Sequence, residues 1–243
     1  MLIALLTVVA LLTAMLSGIT GLGGGTVLIA VLYAAGLVPT VAVPLHAGVQ
    51  LVSNASRTLA YLSHVDWPSL RWFLLGAVPA PFIVAPLILR ADPDVIRLIM
   101  AGFILLAMWP RALSFIHLHG RAGMITAGLL AGGVGMIVGA SGTLIAPFFL
   151  RDDWAKQRVI ATLAVCQSAA HLLKITAFAS YGFNVFEYWH WLLPMAVAVV
   201  VGTWLGKQLH GKLDERQFQA LFRGILILLA IKLAWDGLQG LAG

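Results

Sequence analysis

The chain has 243 residues, 61% of them hydrophobic and 10% charged, with a mean hydropathy of +0.98. A soluble domain carries about 25% charged residues, so the composition excludes a soluble globule and places the chain in a bilayer. The formal net charge of +6 does not indicate a nucleic-acid partner, because the cations sit in short loops and not on one basic face.

Crossing the hydrocarbon core takes about 20 apolar residues in a helix. Eight stretches qualify: 1–20 (continuing past its glycines to 36), 40–63, 69–90, 94–116, 121–150, 156–180, 187–210 and 217–238. Met1-Leu-Ile-Ala-Leu-Leu lacks the basic start of a signal peptide and runs into a motif that recurs internally, so it reads as a membrane segment. Pro79, Pro81 and Pro86 predict a kinked third span. Cys166 lies in an apolar stretch and is expected only to pack. Trp67, Trp72, Trp189 and Trp191 flank spans as interfacial anchors do. The expected fold class is an all-α polytopic membrane protein of about eight transmembrane helices.

The spans repeat at a spacing of 117 residues. Gly18, Gly25 and Thr26 return as Gly135, Gly142 and Thr143, Gln50 returns as Gln167, and Arg57 as Lys174. Near the end the offset grows to 122, where Gly102 meets Gly224. We therefore expect two four-helix transmembrane repeats, 1–116 and 121–243, the first segment of each broken at glycines. A linker near Arg111 to Arg121, with His117 and His119, joins them. Loops 90–97, 151–158 and 207–223 hold nine Lys/Arg against three in the alternate loops, which places the first set in the cytoplasm and both termini outside. Four crossings per copy make the copies parallel. Residues 1–36 as one straight helix would reach about 54 Å, beyond the whole bilayer of about 40–45 Å, so the glycines must unwind, kink or reverse the chain. A full reversal would give five crossings and inverted copies; the charge count favours the parallel arrangement.

Gly21-Leu-Gly-Gly-Gly25 cannot hold a stable helix, since each glycine costs about 1 kcal/mol relative to alanine. Broken backbone at membrane depth is tolerated where protein buries it or water lines it. The helix restarting there offers unpaired N–H groups and a positive dipole end to an anion. Gly23, Gly24, Gly25 and Thr26, and Ser141, Gly142 and Thr143 of the second copy, are candidate binding residues; the plain alternative is close helix packing. Arg57 and Lys174 are intramembrane cations that expect a cavity and a partner, or else snorkel to the interface. The partner is an anionic substrate or one of the carboxylates Asp66 and Glu187. Gln50 and Gln167 precede the cations by seven residues, two turns along one face, with Asn54, Ser168 and His171 on or near it. These groups replace an anion's water shell or simply bond neighbouring helices. His46 and His64, near helix ends, read as structural. No His-Glu-x-x-His, cysteine pair or carboxylate cluster is present, so neither a metal nor another cofactor is expected.

These motifs resemble the TauE/SafE sulfite and organosulfonate exporter family, whose members show a duplicated unit of about four spans opening with Gly-x-Gly-Gly-Gly. Gly21-Leu-Gly-Gly-Gly25 fits in full, with Ala30 where a proline is common. The second copy departs as Gly139-Ala-Ser-Gly142 but keeps Pro147. Val65-Asp66-Trp67 and Gly202-Thr-Trp-Leu-Gly206 also resemble family patterns, and the likeness covers nearly the whole chain. The resemblance implies a secondary transporter, not an enzyme, that exports a small sulfur-containing anion such as sulfite or a sulfonate across the inner membrane. The partners are that anion and the lipid bilayer, without nucleic acid; an oligomeric state is not read from the sequence. An open anion channel, or a membrane protein without transport activity, are the alternatives. His171 is the titratable group nearest the expected site, and electrogenic efflux and proton coupling stay equally open.

Overall fold

The computed structural model describes residues 1–20, 24–108, 118, 120–209 and 215–242. Every regular element among them is helical, as lipid requires of a chain that must satisfy its own backbone polar groups. The helices are α1 (Leu2–Thr20), α2 (Gly24–Ala34), α3 (Pro39–Ala60), α4 (Trp67–Ala77), α5 (Pro79–Arg90), α6 (Pro93–Ala107), α7 (Gly120–Gly132), α8 (Val134–Val138), α9 (Gly142–Ile145), α10 (Lys156–Ala179), α11 (Trp189–Leu209) and α12 (Glu215–Ala242). Prolines open α3, α5 and α6, where the missing N–H costs nothing. Asp66 caps α4 through Ser69 N, and Asp92 caps α6 through Asp94 N. The third span, expected to kink at its prolines, is divided at Val78 into α4 and α5. The expected linker lies almost wholly outside the described residues.

Among the described residues, five helical segments are long and apolar enough to cross a membrane: Trp67–Arg90, Gly120–Val138, Lys156–Ala179, Val185–Gly206 and Arg223–Ala242. Their outer faces carry exposed Phe82, Ile83, Leu87, Leu228, Ile231 and Trp235, a stripe that suits lipid and not water. The main core gathers Leu6, Leu28, Ile29, Tyr33, Leu45, Met100 and Ile104 from α1, α2, α3 and α6. A second gathers Phe73, Met124, Phe148, Phe149 and Trp154, with Cys166 packed among them as expected.

Helix α2 doubles back along α1. Gly24 N–H donates to Ser17 Oγ at 3.1 Å, and a Cβ on Gly24 would strike the Thr13 carbonyl. In a continuous helix Thr13 and Gly24 would stand about 16 Å apart. The second half turns likewise: Gly139 has φ +70°, and by Phe148 the chain is back beside Gly123 near the start of α7.

Contacts along each helix pair fix its direction. Gly202 and Gly206 of α11 lie against the carbonyls of Leu11 and Met15, so α1 and α11 run parallel. Arg121 stacks on Trp72, and Gly132 meets Ala80, so α7 runs parallel to α4 and α5. By contrast, His46 faces His171 while Asp66, just past α3, meets Thr162 and Arg158. Helices α3 and α10 are therefore antiparallel. So are α6 and α12, since Asp94 lies at Gly240 and Leu98 at Gly237. This corrects two expectations. Parallel copies require α3 and α10 to run the same way, and they do not. The loops at 63–69 and 151–158, expected on opposite sides of the membrane, meet at one end through the Asp66–Arg158 ion pair.

Candidate functional site

The two chain reversals and the crossing of α3 with α10 enclose one polar cavity near the middle of these helices. It is lined by Gly25 and Thr26 at the start of α2, by Arg57 with Gln50 and His46 on α3, and by Gln167 and His171 on α10. Ser141, Gly142 and Thr143 complete it at the second break, with Ser17, Asn54 and Ala140 alongside. Its volume is about 30 Å³ measured at the centres of water-sized spheres, room for two or three waters at about 10–15 Å³ each.

Matched contacts hold each break open. The Gln50 amide sits 3.2 Å from where a Gly25 Cβ would stand, and the Gln167 amide 3.1 Å from the same point on Gly142. Only a glycine lets the backbone come this close to the glutamine without displacing it. His46 Nε2 donates to the Gly25 carbonyl at 2.9 Å, a cross-helix bond from α3 to the first turn of α2. Ser141 Oγ and Thr143 Oγ1 are buried and have no hydrogen-bond partner.

The candidate residues separate. Gly25, Thr26, Gln50, Arg57, Ser141, Gly142, Thr143, Gln167 and His171 are brought together on the cavity wall. Gly24 is turned to Ser17 and packs against α1. Gly23 lies outside the described residues. Lys174 is fully buried and is not on the wall; its Nζ donates to the Gly139 carbonyl at 3.0 Å. The cation of the second half thus ties down a broken backbone, while that of the first, Arg57, faces the cavity. Asp66 does not serve as counter-ion to Arg57, because Arg158 holds it. Burial pushes the Asp66 carboxyl up, but bonds from Ser69 and Arg158 outweigh this and leave it below the usual carboxylate range. Ser168 donates to Ala164 O at 2.9 Å within its own helix and stays off the wall. Asn54 lines the wall while donating to Gln50 O at 2.9 Å.

Sequence reasoning placed His46 near a helix end and outside the site. It lies one turn before Gln50 on the same face of α3, and that spacing was the available signal. The 117-residue offset carries it onto Leu163, so the repeat itself does not mark it. Ser17 and Ala140 were missed for want of any signal.

No Asp or Glu is among the residues on this wall. The geometry defines a multi-pass helical membrane protein with a small, cationic, hydroxyl- and amide-lined cavity at two backbone breaks. The family comparison agrees: residues 6–233 match the model of the Sulfite exporter TauE/SafE family, and the chain belongs to that family. This is a family of membrane transporters and not of enzymes. No curated protein and no solved structure gives a match.

Proposed function

We propose that the protein is a secondary transporter exporting a small sulfur-containing oxyanion across the inner membrane through this cavity. The observation that carries the reading is one cavity holding Arg57, two unpartnered hydroxyls and no carboxylate on its wall. An oxyanion there accepts from the guanidinium, from Ser141 and Thr143, and from the Gly25 and Thr26 N–H groups in the first turn of α2, which have no intrahelical partner. The second restart, α9, has only four residues, so the second half contributes hydroxyls and not a helix dipole. A volume of two or three waters suits a compact anion such as sulfite better than a long sulfonate, and the ammonium of taurine finds no carboxylate on the wall. The cytoplasm-negative potential drives such an anion outward by about 2.3 kcal/mol per charge per 100 mV.

The two halves act as inverted copies, each with a short return pass in α2 or after Gly142. Their pairing supports this, since exchanging the halves turns α1 against α11 into α7 against α4 and α5, and leaves α3–α10 and α6–α12 in place. Arg71, Arg121, Arg151, Lys156 and Arg158 share the end marked by Asp66, against Arg90 and Arg97 at the other, so we assign the first end to the cytoplasm. Rocking of one copy against the other gives alternating access.

Proteoliposomes loaded with sulfite, thiosulfate, sulfoacetate, taurine or sulfate provide the test. The expected result is saturable flux with counterflow, highest for the compact oxyanions. Saturation and counterflow distinguish a carrier from an open channel, and no flux with any of these anions refutes the reading.

A further inference from the structure

We propose that His46 and His171 form a proton-binding pair in the cavity, so that the anion is bound together with a proton. This rests on the anion-transport reading above. The Gly25 carbonyl can only accept, so the bond of 2.9 Å from His46 Nε2 fixes the hydrogen on that nitrogen. A neutral imidazole protonated at Nε2 keeps a bare lone pair on Nδ1. That Nδ1 is buried without a partner, and so is Nδ1 of His171. The two rings stand edge to face with centroids 5.8 Å apart, on α3 and α10, and both line the cavity. His46 is 0% and His171 2% exposed. Buried acceptors are normally satisfied, and here the missing donor is supplied when a proton arrives.

The charged groups around the pair are cationic. Arg57 shares the wall, and Lys174 lies one turn beyond His171, bound to Gly139 O. Tyr33 on α2 is turned to Ile137 O, and Cys166 on α10 packs in the second core. His64, Arg71, Arg90, Arg121, Glu187 and His190, on the other elements that pack against α3 and α10, are exposed at helix ends. A proton entering this cavity alone adds to the existing positive charge, while an oxyanion beside it offsets that charge. Each ligand therefore raises the affinity for the other, and the coupling is reciprocal. One proton, from water or from the O–H of the acid form of the anion, adds to the lone pair of His46 Nδ1, and no other bond forms. The imidazolium then donates Nε2–H to Gly25 O and Nδ1–H to an anion oxygen, and the proton leaves as the anion leaves.

The test measures proton uptake by the purified protein in weakly buffered detergent solution. Sulfite is added at a pH where it is deprotonated, and bound sulfite is counted by equilibrium dialysis. The expected uptake is about one proton per anion bound. His46→Gln keeps a donor for Gly25 O but has no basic lone pair, and His171→Gln removes the second imidazole; each should cut the ratio at least about twofold. The wild-type ratio decides the matter even if a variant does not fold. Sulfite binding without proton uptake, or an unchanged ratio in His46→Gln, overturns this inference alone. Failure to bind either sulfite or methanesulfonate overturns the transport reading and this inference with it.

Discussion

Replacing Gly139 by alanine tests whether the second break is held by the first half. Residues Val138, Gly139 and Ala140 form a tight turn with φ +70° and ψ −42° at its centre, and Ala140 N–H donates to Val138 O at 2.7 Å. An L side chain in that conformation costs about 1–3 kcal/mol. The added Cβ would also stand 2.5 Å from Ile29 Cγ1 on α2, and overpacking of this kind costs about 1–3 kcal/mol more. The sum, about 2–6 kcal/mol, should lower the melting temperature in detergent by roughly 5 °C or more, at about 2–4 °C per kcal/mol for a chain of this size. A double-mutant cycle separates the two contributions. Ile29→Ala alone opens a hole costing about 2–5 kcal/mol, but in the Gly139→Ala background it removes the clash and returns about 1–3 kcal/mol as coupling energy. Melting curves of the four proteins, with sulfite flux in parallel, give the answer. Stability of Gly139→Ala within about 0.5 kcal/mol of wild type, or strict additivity in the cycle, would refute the reasoning.

Three further outcomes follow from the site and its surroundings. Arg57→Gln should weaken anion binding about tenfold or more, equivalent to about 1.4 kcal/mol, with an unchanged melting temperature; titration calorimetry with sulfite reads the first and scanning fluorimetry the second. Asp66→Asn keeps the helix cap but loses the ion pair to Arg158, which is half exposed, so it should cost under about 1 kcal/mol. Asp66→Ala loses the cap as well, about 1 kcal/mol more. Because the folded protein holds this carboxyl below its ordinary range, its stabilisation is present at neutral pH and is lost as pH falls through the lowered value. Acid melting curves of wild type and Asp66→Asn should therefore converge at low pH. Gly206→Leu forces α11 off the Met15 carbonyl and should cost about 1–3 kcal/mol, seen as lost monodisperse protein on size-exclusion chromatography.

Gly25, Gly142, the two glutamines and Arg57 were legible because the chain writes these positions twice in register, and they meet on one wall. The role of Lys174 was not, because its partner is a carbonyl freed by a turn whose residues look merely apolar and small. His46 was hidden by its own asymmetry: it meets His171, not a copy of itself, because α3 and α10 cross in opposite directions. The length of residues 1–36 raised a reversal as one alternative, but an 11-residue return pass has the same apolar composition as a continuing helix, so the choice fell to the charge count. The Asp66–Arg158 pair joins residues 92 positions apart, and no local pattern announces it.

The parallel seam of α1 with α11 has a consequence for how the chain is made. Leu11 and Met15 present their carbonyls to Gly202 and Gly206, residues that leave the ribosome about 190 positions later. Until then α1 has inserted without the neighbour that fits it, and the contact closes across most of the polypeptide. Such long-range closure is slow and leaves surface open to misassembly. Neither half reaches its native packing alone, so the two expressed as separate chains should survive only when produced together.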